Sequence, residues 1–166
     1  FPTRRFSDLD MAIPGIVFGS VGTAGQRCTS TRRLIIHDSI YEDVKKRLVS
    51  AYKQVVNKIG NPLDENTLVG PLIDNGSVSD FKYAVEQVQK EGGNIVFGGE
   101  VLEGEGFECG NYVVPCLAEA KNEFHIVQEE TFAPILYLLK YSDFEEALEI
   151  HNGVPQGLSS SIFTQN

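Results

Sequence analysis

The sequence has 166 residues, 42% hydrophobic and 22% charged, a composition typical of one globular domain that excludes a fully disordered chain. Its 14 basic and 23 acidic residues leave a formal net charge of −9, so we expect neither a nucleic-acid partner nor an anionic membrane surface. Three cysteines are too few for a disulfide framework, and no His/Cys pair has zinc-like spacing. No apolar run approaches the roughly 18 residues of a membrane span, and no secretory signal opens the chain. We therefore predict a soluble, metal-free, cytoplasmic protein.

The first half of the chain predicts one strand and two amphipathic helices. The strand is the β-branched run at residues 34–36. Ser39 and Glu42 have capping-box spacing, which predicts the start of a helix that ends before the turn at Gly60. A second helix is predicted after the turn at Gly70-Pro71 and ends at Gly92-Gly93. The apolar positions at helical spacing are Tyr41, Val44, Leu48, Tyr52, Val55 and Ile59 in the first helix, and Val78, Phe81, Val85 and Val88 in the second.

The second half predicts short strands separated by turns, with one further helix. Strands are predicted at residues 95–97, 112–114, 135–139 and 158–163, and residues 100–110 form an acidic, glycine-rich loop. Ser142 and Glu145 form a second capping-box pattern before the helix, whose apolar residues are Phe144, Ala147, Leu148 and Ile150. Strands that alternate with helices indicate βαβ units, hence an α/β fold with a largely parallel sheet.

The two ends of the sequence suggest a piece of a longer protein. Residues 1–7 are basic and unlike the rest of the chain, so we interpret them as a non-native leader. Residues 8–166 are then part of one domain, because no terminating signal comes after the last predicted strand.

One cluster combines closely spaced glycines with a cysteine. Gly19, Gly22 and Gly25 recur every third residue, a spacing that differs from the dinucleotide-binding fingerprint but allows close approach to a ligand. Arg27 and Cys28 come directly after them. A cationic neighbour and backbone N–H groups favour the thiolate, the nucleophilic form of cysteine. The alternative from the residues alone is that Cys28 is a small buried hydrophobic residue.

The cysteine cluster and five further segments together resemble the NAD(P)-dependent aldehyde dehydrogenase superfamily. Alanine before Pro134, and the sequence around the cysteine, are similar to the antiquitin branch, the α-aminoadipic semialdehyde dehydrogenases. The matching segments, in order, are Gly25-Gln26-Arg27-Cys28 with Arg33 downstream, Gly60-Asn61-Pro62-Leu63-Asp64, Gly70-Pro71-Leu72-Ile73, Tyr112-Val113-Val114-Pro115, Glu129-Glu130-Thr131-Phe132-Ala133-Pro134 and residues 157–164.

The resemblance implies a role for four residues. Cys28 would attack the aldehyde carbon to form a thiohemiacetal, which becomes a thioester on loss of hydride to NAD and is then hydrolysed, with its backbone N–H binding the oxyanion. Glu130 would hydrogen-bond the nicotinamide ribose, and Phe132 would pack beside the nicotinamide ring. Arg27 would bind the distal carboxylate of the substrate, since a guanidinium can form two parallel hydrogen bonds with it. The alternatives are that Arg27 only fixes the loop or activates the thiol, and that Phe132 is an ordinary core aromatic.

The resemblance also implies a three-layer catalytic domain, here incomplete, of a homotetrameric enzyme. The general-base glutamate, an oxyanion-hole asparagine and the cofactor domain would precede this segment, so we expect the chain alone to be inactive. The cofactor would be NAD, with NADP open because the missing domain selects it. The alternatives are a sister dehydrogenase for betaine aldehyde or a pyrroline-derived semialdehyde, and a non-catalytic α/β binding module. No role is assigned to the remaining cysteines and histidines, which are Cys109, Cys116, His37, His125 and His151.

Overall fold

The computed structural model describes residues 4–164, with side chains described from Leu9 onward. Five helices and four strands carry the fold, with a short 3-10 turn at Gly22–Gly25. In chain order they are α1 (Arg4–Val21), β1 (Arg33–His37), α2 (Asp38–Val56), α3 (Asn75–Lys90), β2 (Asn94–Phe97), β3 (Cys116–Glu119), α4 (His125–Gln128), β4 (Ile135–Tyr141) and α5 (Phe144–Asn152).

The four strands form one sheet in the order β1-β4-β3-β2. β4 lies in the centre and pairs in parallel with β1 and β3, with Arg33 opposite Tyr137 and Cys116 opposite Ile135. β2 pairs antiparallel with β3, so the sheet is mixed, with one antiparallel edge strand. The predicted α/β class is confirmed, and β4 has the continuous burial expected of a strand covered on both faces.

Helix α2 packs on one face of the sheet. The ring of Tyr52 meets the ring of Phe97 edge-on, with 6.3 Å between the ring centroids. At the other end of the helix, Lys140 Nζ lies 4.4 Å from the centroid of the Tyr41 ring. Helix α1 packs against α2, where Ser20 Oγ and Tyr52 Oη are hydrogen-bonded at 2.8 Å within the core.

Helices α3 and α5 pack on the opposite face. A Cβ built on Gly99 would lie 3.3 Å from Val85 of α3 and 3.6 Å from Cys116 Sγ, so α3 covers the face that bears Cys116. Arg33 lies opposite Tyr137 and Cys116 lies opposite Ile135, two residues apart on β4, so the Arg33 and Cys116 side chains are on the same face of the sheet. The Arg33 guanidinium donates to the Ile150 carbonyl of α5 at 2.6 Å. Helices therefore cover both faces, and the expected three-layer arrangement is confirmed.

Both predicted capping boxes are wrong in detail, although both helices exist. At α2 the cap is His37, whose Nδ1 accepts from the Ser39 N–H at 3.2 Å, and Ser39 lies inside the helix. At α5 the cap is Asp143, whose carboxylate accepts from the Glu146 N–H at 2.9 Å. In each case another side chain with an acceptor atom stands at the last non-helical position, where it satisfies a free N–H of the first turn.

The apolar periodicity predicts the buried face of α2 correctly, because its five residues from Tyr41 to Val55 are all buried. Ile59 lies beyond the helix, in an isolated bridge with Val69. In α3, Ala84 is buried where the prediction named Val85, which is partly exposed. No residue of helix α5 is buried by the described part of the chain, and Phe144 is 63% exposed.

Two strand assignments from the sequence are wrong, and one strand of the sheet was missed. Residues 112–114 form only an isolated bridge, Val113 to Val101, and residues 158–163 are exposed and belong to no strand. The strand that the sheet uses is β3, which the sequence analysis missed. β3 contains no β-branched residue, and Leu117 and Ala118 are buried by strands on both sides, a burial that composition does not reveal.

Helix α1 was not predicted; it contains Pro14, a residue that normally ends a helix. The predicted boundary between residues 7 and 8 falls within α1, and residues 1–3 of the predicted leader lie outside the described residues. Among the helices of residues 4–164, none is long and apolar enough to span a membrane.

Candidate active site

The segments before β1 and before β4 meet at one edge of the sheet. The two strands are parallel neighbours, so their amino ends lie side by side. This places residues 22–32, which include Cys28, next to residues 129–134, which include Glu130 and Phe132. The two segments are about 100 positions apart in sequence, as the hydrogen bond from Arg32 to the Ala133 carbonyl spans 101 positions.

The segment that carries Cys28 begins with a left-handed turn. Thr23, Ala24 and Gly25 have φ values of 51°, 52° and 67°, and the left-handed region is unfavourable for residues with a Cβ. Gly25 also has no room for a side chain, because a Cβ there would lie 2.5 Å from the carbonyl carbon and oxygen of Ala133. The two segments are therefore in direct backbone contact. The predicted close approach of the glycines is made to the protein itself, with Gly19 against Thr31 and Gly22 against Arg27.

Cys28 is exposed at the tip of the turn that comes next. Ser30 closes this turn, because its N–H donates to the Arg27 carbonyl at 3.0 Å and its Oγ accepts from the Arg27 N–H at 3.2 Å. The Cys28 N–H has no acceptor among the residues that the structure describes. Thiol and N–H are thus both available to a ligand, which contradicts the alternative that Cys28 is a buried hydrophobic residue.

The Arg27 side chain folds back onto α1. Its Nη2 donates to the Phe18 carbonyl at 3.4 Å, and Cζ lies 5.1 Å from the Phe18 ring centroid. A Cβ on Gly22 would meet Nη2, so the guanidinium in its present position lies directly against Gly22. Arg27 Nε is buried without a hydrogen-bond partner, and no carboxylate in residues 9–164 forms an ion pair with it. The guanidinium therefore keeps unused donor capacity.

Glu130 and Phe132 face outward from the second segment. The Glu130 side chain is 49% exposed and Phe132 is 44% exposed. Thr131, which lies between them, and Ala133, which comes after Phe132, are buried. This alternation is that of an extended chain, in which successive side chains point to opposite sides. Glu129 points elsewhere and lies 3.5 Å from His125 Nε2. Phe132 is thus a half-exposed aromatic at the site, which does not fit the core alternative.

Arg32 connects the two segments, a role that sequence reasoning missed. Its guanidinium donates to carbonyl oxygens of both segments and lies 3.9 Å from Glu130 Oε1. Burial lowers the pKa of the Arg32 guanidinium, an effect that the negative charge of Glu130 opposes. The sequence analysis quoted Arg33 only as part of the pattern around Cys28, without a role, and Arg33 binds the Ile150 and His151 carbonyls at the end of α5. Arg32 comes directly before β1 and faces the site, whereas Arg33 is the first residue of β1 and faces α5.

Gln26 attaches a third matching segment to the same place. Its Nε2 donates to the Pro71 carbonyl at 3.4 Å, and its Oε1 accepts from the Ile73 N–H at 2.9 Å. The segment at residues 60–64 contacts the same turn, because a Cβ built on Gly70 would lie 3.5 Å from Pro62 Cβ.

The other cysteines and histidines have no common site. Cys109 is exposed, whereas Cys116 is buried in β3, where burial raises the pKa of its thiol to about 12. His37 caps α2, and His125 and His151 belong to different helices. Within the described residues no group of three or more His, Cys, Asp or Glu side chains could hold a metal ion.

Comparison with known proteins gives one consistent match. The profile of the aldehyde dehydrogenase family matches residues 5–166. "Aldehyde dehydrogenase family 7 member A1" of Pisum sativum is 52% identical over 96% of this chain, which covers 30% of that protein. "Alpha-aminoadipic semialdehyde dehydrogenase" of Mus musculus is 49% identical over 96% of this chain, covering 29% of that protein. A betaine aldehyde dehydrogenase from Staphylococcus aureus, solved in complex with NAD+, superposes with a TM-score of 0.91 at 25% identity, covering 96% of this chain and 31% of that one.

Proposed function

Because this chain belongs to the aldehyde dehydrogenase family, we propose that it is the nucleophile-bearing part of an enzyme that oxidises an aldehyde to a carboxylic acid with NAD. The observation that carries the proposal is the exposed Cys28, held in a turn that Arg32 anchors to Glu130 and Phe132. The chain spans about 30% of the length of the relatives it matches, so the activity is proposed for the longer parent protein.

Cys28 performs the covalent step in this proposal. Its thiolate attacks the carbonyl carbon, a C–S bond forms, and the carbonyl π electrons move to oxygen to give a thiohemiacetal. The Cys28 N–H, which has no acceptor among the described residues, donates to the developing oxyanion. After oxidation the acyl group remains on sulfur as a thioester, which water cleaves to release the acid and the free thiol. The base that accepts the protons lies outside this chain.

The exposed side chains beside Cys28 fit a nicotinamide cofactor. Glu130 is a half-exposed carboxylate that can accept hydrogen bonds from two ribose hydroxyls. Phe132 offers a half-exposed ring face for a planar heterocycle. NAD, when bound, supplies the acceptor for the hydride that leaves the substrate carbon. The NAD+ complex of the Staphylococcus aureus relative supports NAD, and NADP stays open because the selecting domain is not in this chain.

We propose α-aminoadipic semialdehyde as the substrate, with Arg27 as the group that binds its distal carboxylate. The support is the 49% identity to the mouse protein of that name, against 25% to the betaine aldehyde dehydrogenase. Betaine aldehyde carries a cationic end, which a guanidinium would repel. Arg27 Nε is buried and has no partner among the described residues, so a rotation that brings the guanidinium to a carboxylate breaks no existing bond at that nitrogen.

Replacing Arg27 with alanine in the parent enzyme should reduce activity selectively toward acidic semialdehydes. A hydrogen bond to a charged group contributes about 1.5–3 kcal/mol, so kcat/KM for α-aminoadipic semialdehyde should fall roughly 10- to 150-fold. The measurement is the ratio of kcat/KM for this substrate to that for an uncharged aldehyde of similar length. Arg27→Lys should restore only part of the ratio, because an ammonium lacks the planar fork.

Arg47 is the matched control for this experiment, because it is an arginine of α2 paired with Asp10 and Asp43 away from the site. Arg47→Ala should leave the substrate ratio unchanged. If Arg27→Ala slows both substrates equally, Arg27 acts on the loop or the thiol, and the assignment of the acidic substrate to this residue is lost.

The 166-residue chain by itself should show no aldehyde oxidation. The expected general base and cofactor domain lie outside it, and the described part exposes large apolar side chains such as Leu63, at 92%, and Ile162, at 79%. The measurement is NADH absorbance with purified chain, aldehyde and NAD, with the parent enzyme as positive control. NADH production by the chain alone would contradict the proposal that essential groups lie elsewhere.

Two further properties belong to the proposal. We infer a homotetrameric parent from the family resemblance. A cytoplasmic location suits two exposed free thiols, Cys28 and Cys109, which a reducing compartment keeps unpaired.

A further inference from the structure

We propose that Arg32 is the positioning residue that holds the nucleophile turn and the Glu130–Phe132 segment in one fixed geometry. The inference rests on the proposed function, in which Cys28 attacks the aldehyde and Glu130 and Phe132 contact the cofactor. Arg32 does not itself face the reacting atoms. It acts through the backbone and side chains of the two segments that do.

On the nucleophile side, one end of the guanidinium binds both ends of the loop that leads to Cys28. Arg32 Nη2 donates to the Gly25 carbonyl at 3.1 Å and to the Arg27 carbonyl at 3.4 Å. The Arg27 carbonyl also accepts from the Ser30 N–H, so it is the hinge of the turn that presents Cys28. Displacement of this carbonyl would change the position of the thiol.

On the cofactor side, the same guanidinium binds the segment that carries Glu130 and Phe132. Arg32 Nη1 donates to the carbonyls of Thr131 and Ala133, which flank Phe132. The guanidinium lies 5.4 Å from the centroid of the Phe132 ring and 3.9 Å from Glu130 Oε1. The last distance is an ion pair too long for a hydrogen bond, so Glu130 is oriented by charge while its acceptor oxygens stay available.

The fold itself does not require this side chain. Strands β1 and β4 are already joined by their ladder, in which the Tyr137 N–H donates to the Arg32 carbonyl at 2.8 Å. What the guanidinium adds is a link between two loops beyond the ends of that ladder. The Arg32 side chain is only 17% exposed, so its hydrogen bonds compete little with water. The four accepting carbonyls, two in each segment, can all be reached by a planar guanidinium, which has five N–H donors. A lysine ammonium has three donors at a single nitrogen and cannot reach the carbonyls of both segments.

A double-mutant cycle in the parent enzyme tests the cofactor side. Glu130→Gln should raise KM for NAD, and Arg32→Lys alone should raise it on the order of 10-fold, because the Glu130 carboxylate loses both the guanidinium beside it and the carbonyl bonds that position its segment. In the Glu130→Gln background, Arg32→Lys should raise KM for NAD less than about 3-fold, because the carboxylate that Arg32 orients is already absent and only the position of Phe132 is left to change. Additive effects would overturn the coupling.

The nucleophile side is tested by alkylation of Cys28 with iodoacetamide in the cofactor-free parent. Arg32→Lys should change the alkylation rate by at least about 3-fold, because the Arg27 carbonyl loses its anchor, whereas Glu130→Gln should leave the rate within about 2-fold. Where Arg32→Lys is not recovered as folded protein, Arg32→Gln takes its place in both measurements. A variant that lowers only the melting temperature, with KM for NAD and alkylation at wild-type values, would reduce Arg32 to a structural residue and overturn the inference.

Two controls separate this inference from the proposed function. Glu129→Gln removes the neighbouring carboxylate, which lies against His125, and Arg47→Lys changes an arginine of α2, and both should stay within about 2-fold of wild type. If Glu130→Gln leaves KM for NAD unchanged, the cofactor assignment of the proposed function fails. If Glu130→Gln raises KM but Arg32→Lys behaves as wild type, only the role of Arg32 fails.

Discussion

We expect Cys28→Ser in the parent enzyme to abolish aldehyde oxidation, lowering kcat by roughly 10³- to 10⁶-fold, while NAD binding stays nearly unchanged. The hydroxyl of serine is a far weaker nucleophile than a thiolate at neutral pH. The site contains no described histidine that could activate it, since His37, His125 and His151 lie on other elements. NAD binding should persist because Glu130 and Phe132 are untouched. The measurements are steady-state NADH formation and NAD titration.

Cys109→Ser is the matched control, because Cys109 is also exposed but lies in the loop before Tyr112, outside the two segments that carry Cys28, Glu130 and Phe132. It should keep wild-type turnover. Mass spectrometry of the alkylated wild type should show Cys28 labelled first and Cys116 last. Cys116 is buried and the pKa of its thiol is raised to about 12, so its thiolate is scarce at pH 8 and increases only as the pH rises. Wild-type turnover in Cys28→Ser would refute the nucleophile assignment.

Gly25→Ala should cost both folding stability and activity. The added Cβ would lie 2.5 Å from the Ala133 carbonyl, which is backbone and cannot rotate away. A left-handed φ of 67° adds a further cost for any residue with a side chain. Overpacking and backbone strain together predict a loss of about 3 kcal/mol or more in the free energy of unfolding. Because the two segments must separate, kcat/KM should fall more than the loss of folded protein explains.

Gly110→Ala isolates the contribution of the backbone. Gly110 has a φ of 72°, close to that of Gly25, but no atom lies within 4 Å of a Cβ built on it. It should therefore lose only about 1–2 kcal/mol, the cost of the left-handed conformation, and keep wild-type kcat/KM. Thermal denaturation and steady-state kinetics of the two variants measure the difference. Equal behaviour of the two variants would mean that the nucleophile turn does not pack on Ala133 in solution.

The local elements of this fold come from patterns that short-range physics enforces. The helical spacing from Tyr41 to Val55 predicts the buried face of α2, because an amphipathic helix must bury its apolar side. The unbroken apolar run of β4 predicts its central place in the sheet. The segments around Cys28 and Glu130 predict the family, which the comparisons confirm. Their residue roles in catalysis stay predictions.

Tertiary packing decided the features that lie beyond such local patterns. β3 is a strand because β2 and β4 bury it on both sides, whereas residues 158–163 have strand-like composition but no partner in the described part of the chain. Capping depends on which acceptor stands one position before the helix, and His37 and Asp143 occupy that place.

The candidate site likewise has features that the sequence predicts and features that only the tertiary structure decides. By itself, the sequence determined the family and predicted a role for Cys28 and for the Glu-x-Phe segment at residues 130–132. Only the tertiary structure decided that Arg32, rather than Arg33, binds the two segments to each other, since Arg32 lies before β1 and reaches the loops at the amino ends of the strands, whereas Arg33 is the first residue of β1 and contacts α5. The physical reason is distance along the chain: contacts across about 100 residues form only when two parallel strands place their amino ends side by side.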